Sequence, residues 1–222
     1  MAVTYLAGKR MRGTNAERIV FGWNSGTNII DFSASNQYDN VQAFRDITES
    51  VRARESGRTH PASDFTGGYG LKQVKARLKT NGSPDGSVVI KVRKKSTHEL
   101  LLTSNTISTS TLTSSIAVYT FDFELNKITD EIDIMVAMTG NTNGVNATTD
   151  ISVGYTGETG SLSTHDDSDG NITTGWSYQT GNNARFTVTK GLSQLQDGSI
   201  FEETDTNTHW IWSSSSSTWT EI

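Results

Sequence analysis

From Gly68 onward the chain changes character at every residue. In YGLKQVKARLK, Val74, Ala76 and Leu78 fall on one side, and Lys75, Arg77 and Lys79 on the other. That two-residue period is the mark of a half-buried strand. NGSPDGS follows, where Pro84 fixes φ and Gly86 accepts a left-handed position, so a turn is expected there. SVVIKVRKK then sets Val88, Ile90 and Val92 against Lys91 and Arg93, and the two runs read together as a hairpin. Tyr119, Phe121 and Phe123 form an aromatic strip, and EIDIMVAM buries Ile132, Ile134, Val136 and Met138 with Asp133 pointing out. ISVGY, GWSYQ and ARFTVTK complete a series of short strands separated by polar turns. The pattern predicts an all-β, antiparallel sandwich.

The flanks are less regular. Residues 1–68 read as an N-terminal arm with first strands, TYLAG, RIVFGW and NIIDFS. Within them, Val41, Phe44, Ile47 and Val51 recur at three- and four-residue steps, which predicts a short helix, although VQAFRDI also alternates in part as a strand would. Residues 69–190 form the sandwich core. Residues 191–222 follow a Gly-Leu-Ser-Gln-Leu-Gln-Asp-Gly linker and read as a small hairpin or meander, too small to stand alone. Trp210, Trp212 and Trp219 in that segment therefore need a covering surface, from the chain itself, a sister copy or a ligand.

Composition supports the β reading. Hydrophobic residues are 33% and charged residues 19% of the 222, and Ser plus Thr make up roughly a quarter. Thr and aromatics suit pleated surfaces, while Ser, Asn and Gly suit turns. The net charge of −5 gives no global reason to expect nucleic acid. The Arg and Lys cluster from Arg52 to Lys95 reads as the solvent face of neighbouring strands. With no cysteine, thiolate and disulfide chemistry are excluded. No stretch approaches a membrane span, and the N-terminus lacks the apolar run of a signal peptide, so no membrane partner is expected.

The stretch TGGYGLKQVKARLKTNGSPDGSVVIKVRKKS, continued by STLTSSIAVYTFDFE, resembles a jelly-roll β-sandwich module of the kind found in structural proteins of tailed viruses and in carbohydrate-binding-like domains. GSIFEETDTNTHWIWSSSSSTWTEI is similar to a terminal module of phage and archaeal-virus virion proteins, and MAVTYLAGKRMRGT resembles the start of such proteins. The resemblance implies a non-enzymatic virion component, such as a capsid decoration, spike or fibre protein, assembled in the host cytoplasm. Its partners would be copies of itself, in a trimer, other virion proteins and a host-surface glycan. The likeness lies in core and turn positions, so it brings no site residues.

Candidate chemistry is sparse. Asp167, Asp169 and Asn171 alternate around Gly170, where hard oxygens could gather a calcium ion, but the closing Glu of an EF-hand is missing and a hydrated loop tip explains the run equally. No other cofactor is implied. The four histidines have no paired spacing, and no nucleophile elbow frames a serine, so no catalytic residue is named. Trp176 and Tyr178, with Trp210 and Trp212, could stack on sugar rings; core or subunit packing is the alternative. On that ground a carbohydrate-binding module is the second functional reading.

Overall fold

The structure, a computed structural model, describes residues 4–5, 10–20, 23, 28–31, 44–47, 53–139, 150–156, 161–167, 176–180, 183–184, 186–193, 195 and 197–222. The chain opens with β1 (Thr4–Tyr5), β2 (Arg10–Gly13), helix α1 (Asn15–Val20), β3 (Asn28–Asp31), β4 (Phe44–Ile47) and β5 (Ala53–His60). Next come β6 (Gly70–Asn81), β7 (Ser87–Lys94), β8 (Leu100–Thr103), β9 (Ile107–Ser108), β10 (Ala117–Asp122) and β11 (Ile132–Thr139). The later strands are β12 (Asp150–Thr156), β13 (Ser161–Asp167), β14 (Trp176–Thr180), β15 (Asn183–Ala184) and β16 (Phe186–Gly191). The last three are β17 (Ile200–Glu203), β18 (His209–Ser213) and β19 (Thr218–Glu221). The fold is all-β, as the alternation predicts.

Among the described residues the strands form three sheets. One runs β14-β13-β5-β11-β7-β8, with β9 also on β7. A second runs β15-β12-β6-β16-β3, with β10 on β6 and β4 on β12. Both are antiparallel and enclose one core. Val74, Ala76, Leu78, Phe121, Ile151, Val153, Phe186 and Val188 meet Val88, Ile90, Val92, Ile132, Ile134, Val136 and Met138 there. Each of these Val, Leu, Ile, Phe and Met side chains, once fully buried, contributes about 1.5–3 kcal/mol of transfer free energy. The 12-residue β6 organises its sheet. Val74 lies between Phe121 of β10 and Val188 of β16, and Leu78 further along pairs with Val153 of β12.

Three expectations change. β6 and β7 do not pair as a hairpin: the turn at residues 82–86 carries the chain from one sheet to the other. Paired side by side, the two apolar faces would both look the same way and need a third layer; crossing over sets them face to face. Asp133 is fully buried, not solvent-facing, and accepts a 2.6 Å hydrogen bond from the Thr59 hydroxyl. The stretch expected as a helix contributes strand β4, whose Phe44–Ile47 pairs with Gly154–Ile151 of β12, while the helix of the N-terminal region lies earlier, at α1.

The third sheet joins the chain's two ends, in the order β1-β2-β17-β18-β19. β2 lies parallel to β17, with Met11 opposite Phe201, and the remaining neighbours are antiparallel. The expected N-terminal arm, residues 1–68, is shared between layers: β1 and β2 complete the terminal sheet while β3, β4 and β5 belong to the sandwich, whose last strand, β16, ends at Gly191.

Gly57 sits opposite Met135 where β5 pairs with β11, and a Cβ there would lie 1.7 Å from the Ile134 carbonyl oxygen. Backbone cannot yield that far without parting the strands. Gly57→Ala should destabilise the fold by about 3 kcal/mol or more, read as a lowered urea midpoint.

Candidate functional site

The residues that fasten the terminal sheet to the sandwich begin with the run TNAER. Thr14 and Glu17 cap α1 reciprocally: the Thr14 N–H donates to Glu17 Oε2 at 2.8 Å, and the Glu17 N–H donates to Thr14 Oγ1 at 3.3 Å. The helix is a bare six residues, and the cap fixes where its one buried cation points. Arg18 Nε donates to Glu203 Oε1 at 2.5 Å, and its Nη2 lies 2.9 Å from Glu124 Oε1. Its guanidinium stands 3.9 Å from the Trp210 ring centroid, a stacked cation–π contact. Arg18 and Glu203 are both buried. Thr206 donates to the other Glu203 oxygen, so both acceptor atoms are used. The Asn15 N–H donates to Asp205 Oδ1 at 2.9 Å, and the Thr204 N–H to the Gly13 carbonyl at 2.8 Å, which completes the join.

Beneath this lies an aromatic layer. Trp212 and Trp219 are directly opposed across β18 and β19, with ring centroids 5.5 Å apart, and Phe201 meets Trp219 edge-on at 6.2 Å. Met11, Trp23 and Leu125 close the cluster. Trp23 donates its indole N–H to the Phe123 carbonyl at 3.1 Å, tying the cluster to the end of β10. Gly191 makes room for it, since a Cβ there would come within 2.5 Å of the Trp23 ring.

Trp212 and Trp219 are thus covered within their own chain, in a cluster to which Met11 and Trp23 contribute from its N-terminal part, and Trp210 is half-buried under Arg18. Trp176 and Tyr178 lie on β14, opposite His165 and Ser163, in a different sheet from the other tryptophans. Trp176 and Tyr178 thus sit on one sheet and Trp210, Trp212 and Trp219 on another. Asp167 ends β13 opposite Ala53; Asp169 and Asn171 lie outside the described residues. Among the described residues, no three His, Asp or Glu are placed to hold a metal ion.

Two further polar clusters went unread in the sequence. Glu55 of β5 accepts from Arg93 Nε at 2.7 Å, Arg93 Nη2 at 2.8 Å and Lys91 Nζ at 2.9 Å. Part of the basic run is therefore an internal clamp, not a solvent face. Burial alone would push the Glu55 carboxyl up, but the Arg93 hydrogen bonds and the charges of Lys91 and Arg93 outweigh it and hold it below its ordinary value. At the far end of β5, the fully buried His60 places Nδ1 3.1 Å from Asp64 Oδ2, and Lys190 donates to the Asp64 carbonyl while lying over the Tyr69 ring. Burial pushes the His60 imidazole down, which the Asp64 hydrogen bond offsets only in part. In its neutral form the ring can donate from Nδ1 to the Asp64 carboxylate. The capping signature T-x-x-E at residues 14–17 was the one visible cue to the clasp; the acid partners of Arg93 and Arg18 lie far away in the chain and leave no local signal.

No family model matches the chain, and no curated protein matches it either.

Two outcomes follow from these clusters. Arg18→Ala strands the Glu203 carboxylate in a buried site and should cost about 3–5 kcal/mol in urea unfolding. Because His60 titrates below 6.5 when folded, the unfolded chain takes up that proton first as the pH falls. Stability is then full above about pH 6.5 and declines below it. Asp64 and Glu55, both held below their ordinary values, extend the loss at more acid pH. His60→Gln should flatten the drop in urea midpoint between about pH 7.5 and 5.5; an unchanged slope would assign the drop to other groups.

Proposed function

We propose that the chain is a non-enzymatic structural protein displayed on a virion surface, as a capsid decoration, spike or fibre component. It works by packing against copies of itself and against other virion proteins, and is assembled in the host cytoplasm. The observation that carries this reading is the apolar surface left on outlying strands. β10 borders its sheet, paired only with β6 among the described strands, and there Val118 is 56% and Ile116, just before it, 39% exposed. β8 likewise lies at the rim of the other sheet, with Leu100 46% exposed. An outer strand with exposed apolar side chains is a template for another chain, and soluble monomers usually blunt such edges with charge or proline. The order of the strands adds support: the chain changes sheet from β5 to β6, from β6 to β7, and at each step from β10 to β13, an alternation that a jelly roll would also require.

The purified chain should run as an oligomer, a trimer, by light scattering. Val118→Lys should shift it towards monomer without lowering its melting temperature, because the side chain is largely in solvent. Mass spectrometry of purified particles should find the chain among their proteins. A strictly monomeric chain that is also missing from particles would end the proposal.

A further inference from the structure

The terminal sheet has two faces of opposite character. Met11, Phe201, Trp210, Trp212 and Trp219 point inwards, so the alternate residues Arg10, Arg12, Ile200, Glu202 and His209 make up the outer face. A cleft of about 230 Å³ opens on that side, lined by Arg10, Met11, Ile200, Glu202, His209 and Ile222. Arg12 Nε lies 3.2 Å from Glu202 Oε1, so the one acidic side chain lining the cleft is already answered. Arg10 stands opposite Ile200 across the parallel pair, and among the described residues no carboxylate pairs with it. Ile222 is 65% exposed, and its N–H donates to the His209 carbonyl at 2.9 Å, which holds it at the cleft wall.

We propose that this cleft binds a terminal acidic sugar, a single ring bearing a carboxylate, as the chain's own ligand site. The carboxylate meets the Arg10 guanidinium, whose planar fork suits it and which no acidic side chain among the described residues engages. Ring hydroxyls donate to Glu202 and exchange hydrogen bonds with His209, while the apolar C–H face rests on Ile200 and Ile222. Size limits the ligand: the cleft holds about eight water volumes, below the range for drug-sized ligands, so one ring enters and the rest of a glycan stays outside. A neutral sugar would leave Arg10 unanswered. The site differs from the tryptophan platform expected from sequence, because the indoles of Trp212 and Trp219 lie on the opposite, covered face. The inference rests on surface display only for its purpose, and its test uses the purified chain, so it succeeds or fails whatever is found in particles.

The experiment is NMR titration of the full chain with the methyl glycosides of glucuronic acid, galacturonic acid and N-acetylneuraminic acid, with methyl glucoside as the neutral control. At least one acidic glycoside should shift the His209 imidazole resonances and the Arg10 and Ile200 amides, and methyl glucoside should not. Arg10→Ala should weaken that binding at least tenfold, and Arg10→Lys should restore part of it. Ile222→Glu, at an exposed position where folding is not at risk, should weaken it too by repelling the carboxylate. Silence with all three acidic glycosides, or binding undiminished in both Arg10→Ala and Ile222→Glu, overturns the proposal.

Discussion

One guanidinium joins three distant stretches of this chain. Arg18 leaves helix α1 and reaches Glu203 on β17, Glu124 in the connection after β10, and the face of Trp210 on β18. A lysine could not serve all three, since only a planar fork donates along two edges while stacking on a ring. Burying such a pair is costly and is weak grounds for added stability. Its stronger effect is on register. Parallel pairing sets Glu203 opposite Gly13 and Glu202 opposite Arg12. Sliding β17 by one residue would turn Glu203 outwards, bring Glu202 under Arg18 and expose Phe201, because strand faces alternate with period two. The ion pair thus selects the one alignment in which the aromatic layer is covered.

The sandwich repeats the device. β5 and β7 flank β11 without touching each other, yet Glu55 reaches across to Lys91 and Arg93. Between them Asp133 of β11 takes the Thr59 hydroxyl. These links lie on the face away from the common core, so apolar burial supplies the driving force and charges specify how three neighbouring strands align. Losing either partner would leave an unanswered charge in a dry place, which is why such clusters resist slippage more than they deepen the energy well.

What the sequence disclosed follows from the range of each signal. Alternation at Val74, Ala76, Leu78 and again at Val88, Ile90, Val92 is local, and it survives whichever strand lies alongside. Partner choice is not local: the turn at Pro84 and Gly86 is equally good chemistry for a hairpin and for a crossover, and only the need to bury two apolar faces against each other decides. The stretch around Phe44 and Ile47 satisfied both periods, and pairing with β12 settled it as strand. The C-terminal tryptophans announced that they needed cover. That Met11 and Trp23 would supply it, from the other end of the chain, depended on the parallel pairing of β2 with β17, which no composition or spacing encodes.

Closing a layer with both ends of the chain has a consequence for what its outer face can do. Arg10, Ile200 and His209 are strand residues, and each is flanked by an inward neighbour, Met11, Phe201 or Trp210, held in the aromatic cluster. At such positions only side-chain rotamers remain to be ordered on binding, because the backbone is already fixed, whereas a loop-borne site must also have its backbone ordered by its ligand. The exposed apolar positions on β8 and β10 lie in the sandwich sheets, not in the terminal layer. The proposed assembly through those edges and the proposed recognition through the terminal cleft would therefore draw on separate surfaces, and occupying one would leave the other open.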